Sequence, residues 1–143
     1  MRSVFLVVLL FAACSVSGQT AQDSVKRVIN DLFKAMNDAD SAGVVNLFAP
    51  GAVIHGLGKT GVKLEKVEEF GASMKRLKKG QLDERIQFEA IHIDANLAAV
   101  WTPYRLYFDG KFMHCGADSF QLIRIDGAWK IVYLIDTRRK DCD

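Results

Sequence analysis

Apolar side chains recur at helical spacing in two stretches of the first half of the chain. In DSVKRVINDLFKAMNDAD this spacing predicts an amphipathic helix with Asp23 or Ser24 as its N-cap. The apolar positions of this helix are Val25, Val28, Ile29, Leu32, Phe33 and Met36. In KLEKVEEFGASMKRLKKG the same spacing, with acidic residues first and basic residues last, predicts a helix that closes on Gly80.

Shorter elements fill the rest of the chain. DSAGVVNLFAPGA predicts a short helix, capped by Asp40 or Ser41 and stopped by Pro50 and Gly51, and AVIHGLG predicts a brief strand after it. From Leu82 the apolar period becomes alternating, which is typical of strands. The predicted strands are LDERIQFEAIHID, LAAVWTPYRLYFD, KFMHCGADSFQLIRID and AWKIVYLIDTRR, separated by DAN, DG and DG.

The two Asp-Gly pairs, at 109–110 and 126–127, predict tight two-residue type I′ turns. Such a turn fixes which residues of the flanking strands lie opposite each other. The predicted partners are Ile125 and Ala128, Leu122 and Ile131, Phe120 and Tyr133, Asp118 and Ile135, Tyr107 and Phe112, Arg105 and His114, Trp101 and Asp118, and Ala99 and Phe120.

Cross-strand partners share a face of the sheet, so the predicted register sorts the strand residues into two faces. The bulkier and more aromatic face is assigned to the helices, and it comprises Phe88, Ala90, His92, Ala99, Trp101, Arg105, Tyr107, His114, Asp118, Phe120, Leu122, Trp129, Ile131, Tyr133 and Ile135. The other face comprises Val100, Thr102, Tyr104, Leu106, Cys115, Ser119, Ile123, Val132 and Leu134. This second face is still too apolar for plain exposure, which predicts a homodimer through the outer face of the sheet.

The beginning of the chain predicts an exported protein. Arg2 precedes the apolar run Val4–Ala13 and then small residues, the pattern of a secretory signal over 1–18. That run is about half of the roughly 20 apolar residues that cross a bilayer, so we expect no membrane span. We expect a single domain at 19–143 in a periplasmic or secreted protein, and a lipoprotein anchored through Cys14 is the alternative.

Charge and cysteines add two expectations. The net charge of +2 is small and the basic residues are dispersed, so no nucleic-acid partner is expected. Cys115 and Cys142 remain after removal of the signal. An oxidising compartment favours a disulfide between them, but the C-terminal tail must fold back before they can bond. The sequence therefore favours neither a disulfide nor two free thiols.

The order of elements resembles that of the NTF2-like, or SnoaL-like, superfamily over essentially the whole mature chain. The most specific part, DGKFMHCGADSFQLIRIDGAWKIVYLIDTRR, is similar to the C-terminal hairpin of bacterial members labelled lumazine-binding-like. The resemblance implies an α+β fold, an NTF2-like cone in which three N-terminal helices pack on a curved antiparallel sheet around a pocket. It does not choose a reaction, because the superfamily includes isomerases, dehydratases, binding modules and transport adaptors.

Two residues are candidates for catalysis. The register points Asp118 into the helix-covered face beside Trp101, where desolvation raises the pKa of a carboxyl group, as a general base requires. Alternatively, Asp118 bonds to the Trp101 indole or to a backbone amide and only closes the cone. His55 follows the second helix, where NTF2-like enzymes often present a pocket residue, and it is either a proton carrier near neutral pH or a packed residue.

Aromatic and polar residues on the assigned pocket face are candidates for ligand binding: Trp101, Tyr107, Tyr133, Arg105 and His114. His114 and Asp118 are about 13 Å apart by strand rise, too far for one metal ion, so we expect no metal and no cofactor.

Three functions are compatible with these residues. The first is binding of a small, largely apolar ligand in the cone pocket. The second is a cofactor-free isomerase or dehydratase that uses Asp118 or His55, although only one pocket-facing carboxylate is apparent in the sequence. The third is a protein-interaction module whose cone is filled by side chains.

Overall fold

The computed structural model describes residues 20–58 and 60–142, so the predicted signal segment and Cys14 lie outside the described residues. Three helices and seven strands form an α+β fold, as expected. The helices are α1 (Ala21–Asn37), α2 (Ser41–Asn46) and α3 (Val67–Met74). The strands are β1 (Phe48–Gly58), β2 (Gly61–Glu65), β3 (Leu82–Ile86), β4 (Ala90–Asp94), β5 (Leu97–Phe108), β6 (Lys111–Ile125) and β7 (Ala128–Thr137).

The first helix begins earlier than predicted. Thr20 is the N-cap, and its side chain and that of Asp23 bond reciprocally to each other's backbone N–H groups. Asp23 is therefore the third residue of a capping box and not the cap itself. The prediction of Asp23 or Ser24 as N-cap was wrong, whereas Asp40 does cap α2, as predicted.

The segments around α2 and α3 are shorter than their patterns predicted. The α2 helix ends before Leu47, whose carbonyl accepts from the backbone of Ile131 and draws the chain into the sheet, so that Pro50 and Gly51 lie within β1. The start of KLEKVEEF belongs to β2, which forms an unpredicted hairpin with β1. The α3 helix ends at Met74. Over the next three residues, each backbone N–H bonds to the carbonyl three residues earlier, as in a tight turn, and no longer to the one four residues earlier.

The strands form one mixed sheet in the order β2-β1-β7-β6-β5-β3, with β4 also paired to β5. All pairs are antiparallel except β1 with β7, which is parallel, so the expectation of a wholly antiparallel sheet was wrong at that pair. Both Asp-Gly turns form as predicted, with positive φ at Asp109, Gly110, Asp126 and Gly127. No helix of the described residues is long and apolar enough to cross a membrane.

A bulge in β6 changes the predicted register of the β5–β6 hairpin. Tyr107 pairs with Phe112 as expected, but Leu106 pairs with His114, which leaves Met113 as an extra residue. Beyond this bulge Thr102, and not Trp101, lies opposite Asp118. Because one residue of slip turns every later side chain to the other face, the faces of β5 were predicted the wrong way round.

A second bulge, at Val132, does the same in the β6–β7 hairpin. Leu122 pairs with Ile131 as predicted, but Gln121 pairs with Tyr133 and Asp118 pairs with Asp136. Tyr133 and Ile135 therefore turn to the outer face of the sheet.

The core lies between the three helices and the inner face of the sheet. Fully buried side chains from α1, α2 and the last three strands pack together there, including Val25, Ile29, Leu32, Val44, Ala98, Phe120, Leu122 and Ile131. The residues Ala90, His92, Ala99, Trp101, Arg105, Tyr107, Tyr133 and Ile135 were assigned to this inner face but lie on the outer one.

A disulfide between Cys115 and Cys142 holds the C-terminal tail against β6, with 6.0 Å between the two Cα atoms. The tail folds back because Arg139 and Cys115 exchange backbone hydrogen bonds. This bridge decides the question that the sequence left open.

Gly116 allows the end of β7 to cross close over β6. A Cβ atom at this position would lie 1.8 Å from the carbonyl oxygen of Thr137 and 2.9 Å from Cε1 of Tyr104. The first of these is a backbone atom, so only a glycine permits this approach.

We therefore expect Gly116→Ala to lower the free energy of unfolding by about 3 kcal/mol, because the chain must shift at Thr137. Urea unfolding measures this change. Gly58→Ala is the matched control, since its nearest atom lies 4.0 Å away, and it should change stability by less than about 0.5 kcal/mol. Equal effects of the two substitutions would contradict the close approach.

Candidate ligand-binding site

A cavity of about 170 Å³ lies between the helices and the inner face of the sheet. Its larger part is apolar and is formed by Leu32, Phe33, Met36, Ile54, Phe70, Leu82, Leu106 and Leu134. The cone is thus hollow, which disfavours the hypothesis of a cone filled by side chains.

The other part of the cavity is formed by ionisable side chains. These are Glu65 of β2, Glu84 of β3, His114 and Asp118 of β6, Asp136 of β7 and Arg138 just beyond it, together with the ring of Tyr104. Four carboxyl groups therefore share this wall with a single guanidinium group.

Asp118 is the most deeply buried of these carboxyl groups, with 3% of its surface exposed. The hydroxyl of Thr102, itself fully buried, donates a hydrogen bond to Oδ2 of Asp118 over 3.1 Å. Burial raises the pKa of Asp118 to about 8, against the lowering effect of this hydrogen bond and with a further rise from the charge of Asp136. At pH 7 most of the Asp118 carboxyl is therefore protonated.

Glu84 lies near Asp118 on the neighbouring part of the wall. Burial raises the pKa of Glu84 well above its ordinary value, and the charges of Asp118 and Asp136 raise it further, while Arg138 opposes them. The two carboxyl groups interact, so they hold protons as a coupled pair.

Asp136 and Arg138 form an ion pair at the rim of the cavity, with 2.7 Å between Nε and Oδ2. A Cβ atom on Gly56 would lie 3.2 Å from Oδ1 of Asp136 and 3.5 Å from Nη2 of Arg138, so Gly56 leaves space for this pair. The hydrogen bond to Asp136 raises the pKa of Arg138, which stays charged.

Tyr104 links this ion pair to His114. Its hydroxyl lies 2.8 Å from the carbonyl oxygen of Thr137, 3.3 Å from Oδ2 of Asp136 and 3.2 Å from Nδ1 of His114. Burial raises the pKa of Tyr104, and burial followed by the charge of Arg138 lowers the pKa of His114. Both rings are therefore uncharged at neutral pH.

This arrangement offers neutral hydrogen-bonding groups beside an apolar floor. A protonated carboxyl group donates through its O–H and accepts through its carbonyl oxygen, so the Asp118 and Glu84 pair can meet a ligand edge that carries both a donor and an acceptor. Across the described residues, no group of three or more His, Cys, Asp or Glu side chains could hold a metal ion.

The structure brings only two of the sequence-predicted site residues to the cavity, Asp118 and His114. Asp118 faces the helices as its turn register predicted, but its hydrogen-bond partner is Thr102 and not the indole of Trp101. His55 lies on the other side of the sheet, where its Nδ1 is 3.0 Å from the hydroxyl of Tyr133. The cavity that Asp118 lines does not include His55.

The remaining predicted ligand-binding residues do not line this cavity. Trp101, Tyr107, Tyr133 and Arg105 lie on the outer face, because both bulges turn them away from the helices. Trp101 is 43% exposed there.

Sequence reasoning missed most of the polar wall. A signal existed for Glu84, because the alternation of LDERI puts it on the same face as Leu82 and Ile86. Tyr104 was assigned through a register without a bulge and so fell on the wrong face, and Asp136 was assigned to neither face. Glu65 was placed in a helix pattern, although it ends strand β2.

Comparison with solved structures places this architecture in the class of NTF2-like folds. An NTF2-like protein of unknown function from Shewanella baltica OS155 superposes with a TM-score of 0.68 at 15% identity, covering 84% of this chain and 94% of that one. An NTF2-like protein of unknown function from Methylobacillus flagellatus KT gives a TM-score of 0.64 at 18% identity, covering 82% and 91%. A protein with a cystatin-like fold from Nostoc punctiforme PCC 73102 gives 0.68 at 12% identity, covering 84% and 93%.

The sequence itself identifies the family. Residues 20–134 match the family described as "Putative lumazine-binding", and because they make up most of the chain, this protein belongs to that family. A search of curated protein sequences finds no match. The superfamily resemblance and the α+β cone expected from the sequence are thus confirmed, and the chain is a ligand-binding type of NTF2-like domain.

The buried proton on Asp118 predicts a pH-dependent stability. The folded protein holds this proton up to a pH of about 8, while the unfolded chain releases it near 3.8. Its contribution to stability is therefore full below pH 3.8 and is lost as the pH rises through about 8. Asp118→Asn should gain stability relative to the native protein between pH 5 and 8, by at most about 1.4 kcal/mol per pH unit.

Urea unfolding of both proteins at several pH values measures this difference. Asp126→Asn is the matched control, because Asp126 is exposed in a turn and asparagine tolerates its positive φ. Parallel stability curves for Asp118→Asn and the native protein would contradict a buried, protonated Asp118.

Proposed function

We propose that this protein binds a small, flat, largely apolar molecule in the cavity, with one polar edge against Asp118 and Glu84. The observation that carries the proposal is the combination of an apolar floor with two carboxyl groups whose pKa is raised. A protonated carboxyl and a lactam edge, which has N–H beside C=O, satisfy each other through two hydrogen bonds.

The two carboxyl groups, of Asp118 and Glu84, would select ligands by the polar groups at their edge. A ligand without a donor and an acceptor at its edge would cover the carboxyl groups and leave them unpaired, which costs binding free energy. The volume of about 170 Å³ lies below the usual range of drug-sized pockets, which favours a compact ring system.

Lumazine is a suitable first probe, since the family description names it and since it is a flat heteroaromatic molecule with lactam edges. We expect the native protein to bind lumazine, and Leu106→Phe to lower the affinity by about tenfold or more, because the larger side chain occupies the volume that the ligand needs. Isothermal titration calorimetry measures both affinities.

The matched control is Leu97→Phe, which adds the same atoms to an exposed position on the same strand, where the leucine is 50% exposed. It should bind lumazine like the native protein. The proposal is wrong if Leu106→Phe binds equally well, or if lumazine fails to bind and native mass spectrometry of protein from its source finds no retained small molecule.

Proton-transfer catalysis, as in a cofactor-free isomerase or dehydratase, is the second candidate function. It is supported by a buried Asp118 with a pKa of about 8, which can exchange a proton near neutral pH. The histidine that lines the cavity with Asp118 is His114, and not His55 as the sequence suggested. Deuterium uptake into a bound carbonyl compound in heavy water, lost in Asp118→Asn, would support this function, and no uptake by the native protein would exclude it for that compound.

We further propose that the protein forms a homodimer through the outer face of the sheet. Exposed apolar side chains on that face include Trp101, Val62 and Leu64, the last two opposite Leu57 and His55. Sedimentation velocity should find a dimer for the native protein and a monomer for Trp101→Arg. A monomeric native protein at micromolar concentration would contradict the proposal.

Export is also proposed, with cleavage after residue 18 or lipidation at Cys14 as the two routes. The disulfide between Cys115 and Cys142 supports it, because such bonds persist in oxidising compartments. The intact mass of the protein isolated from its source distinguishes the two routes, and a mass that includes residues 1–18 would contradict both.

A further inference from the structure

Three arginines lie in one row across the outer face of the sheet, opposite to the cavity side. Arg85 of β3 pairs directly with Arg105 of β5, Arg105 pairs with Cys115 of β6, and Cys115 pairs with Arg139 of the tail. Neighbouring strands are about 4.8 Å apart, so the three backbone positions span roughly 15 Å.

Like charges on directly opposite positions destabilise a sheet, so this row requires an explanation. Arg85 is partly neutralised, because its Nη2 lies 2.8 Å from Oδ2 of Asp83 and its guanidinium group lies 4.3 Å from the ring centre of Tyr107. Its positive charge is thus balanced by Asp83 of its own strand and stabilised by the Tyr107 ring of β5.

Arg105 and Arg139 lack such compensation. Their only side-chain hydrogen bonds within the described residues go to backbone carbonyls, from Arg105 Nη2 to Cys142 over 3.4 Å and from Arg139 Nη1 to Asp141 over 3.4 Å. Neither forms an ion pair with a carboxylate of the described residues. Each guanidinium group therefore retains several N–H donors for another partner.

These arginines surround a groove of about 510 Å³ on the outer face. Pro103 and Tyr107 add an apolar wall, and Cys115 and Cys142 lie between Arg105 and Arg139. The disulfide holds the tail in place, so it also fixes the backbone of Arg139 beside the groove.

We propose that this groove binds the oxyanion of a small organic acid or phosphate ester between Arg105 and Arg139, above the Cys115–Cys142 disulfide. Guanidinium forks bind carboxylate and phosphate oxygens in pairs of charge-assisted hydrogen bonds. The wall of Tyr107 and Pro103 suits the carbon body of such a ligand. The site is separate from the inner cavity, and the sheet lies between the two.

Isothermal titration calorimetry with pyrophosphate and with citrate, at matched ionic strength in chloride, tests this site. We expect the native protein to bind at least one anion, and Arg105→Gln and Arg139→Gln each to lower its affinity by about tenfold or more. Arg124→Gln is the matched control, since it removes one exposed arginine from the far end of β6 and should leave the affinity unchanged. Tighter binding of pyrophosphate would indicate a phosphate ligand, and tighter binding of citrate a carboxylate ligand.

Two further variants separate a built site from general attraction. Arg105→Lys keeps the charge but not the fork, so it should recover only part of the affinity. Cys142→Ser frees the tail and should weaken binding about as much as Arg139→Gln. The proposal is overturned if neither anion binds, or if Arg124→Gln lowers the affinity as much as Arg105→Gln does.

Discussion

Two extra residues, Met113 in β6 and Val132 in β7, determine which side chains the sheet turns toward the helices. Each shifts the pairing of its hairpin by one residue. Beyond the bulges, the faces of β5 and of the end of β7 are therefore the reverse of those that an unbulged register predicts. Together they bring Tyr104 and Asp136 to the same side as Asp118 and turn Trp101 and Tyr133 outward. Both the cavity and the arginine row follow from this register.

The polar wall of the cavity is costly for the fold, since a carboxyl group removed from water favours its neutral form. The structure reduces this cost by protonation of Asp118, by the hydroxyl of Thr102, and by the ion pair of Asp136 with Arg138. Burial raises the pKa of Glu84 in the same direction, toward its neutral form. A core of purely apolar side chains would be easier to build at this place. Ionisable groups are nevertheless present in this cavity beside its apolar side chains, and the proposed ligand binding rests on them.

The general fold could be predicted from the sequence, because its signals are local. The spacing in α1 and the two Asp-Gly turns identified a helix and two hairpins, and the hairpin residues closest to the turns were paired correctly. The site could not, because neither Met113 nor Val132 carries a signal for a bulge and an error of one residue spreads along the whole strand. His114 and Asp118 kept their predicted face because they lie on β6, whose faces were assigned correctly, whereas the faces of β5 and of the end of β7 were reversed.

The protonation state of Asp118 in the folded protein is the most direct test of this account. Infrared difference spectra between the native protein and Asp118→Asn isolate the carboxyl band of this one side chain. The account predicts a protonated carboxyl at pH 6 that ionises with a midpoint of about 8. A midpoint near the ordinary value of 3.8 would show that Asp118 is solvated and charged at neutral pH. It would contradict the proposal that a protonated Asp118 meets the polar edge of the ligand.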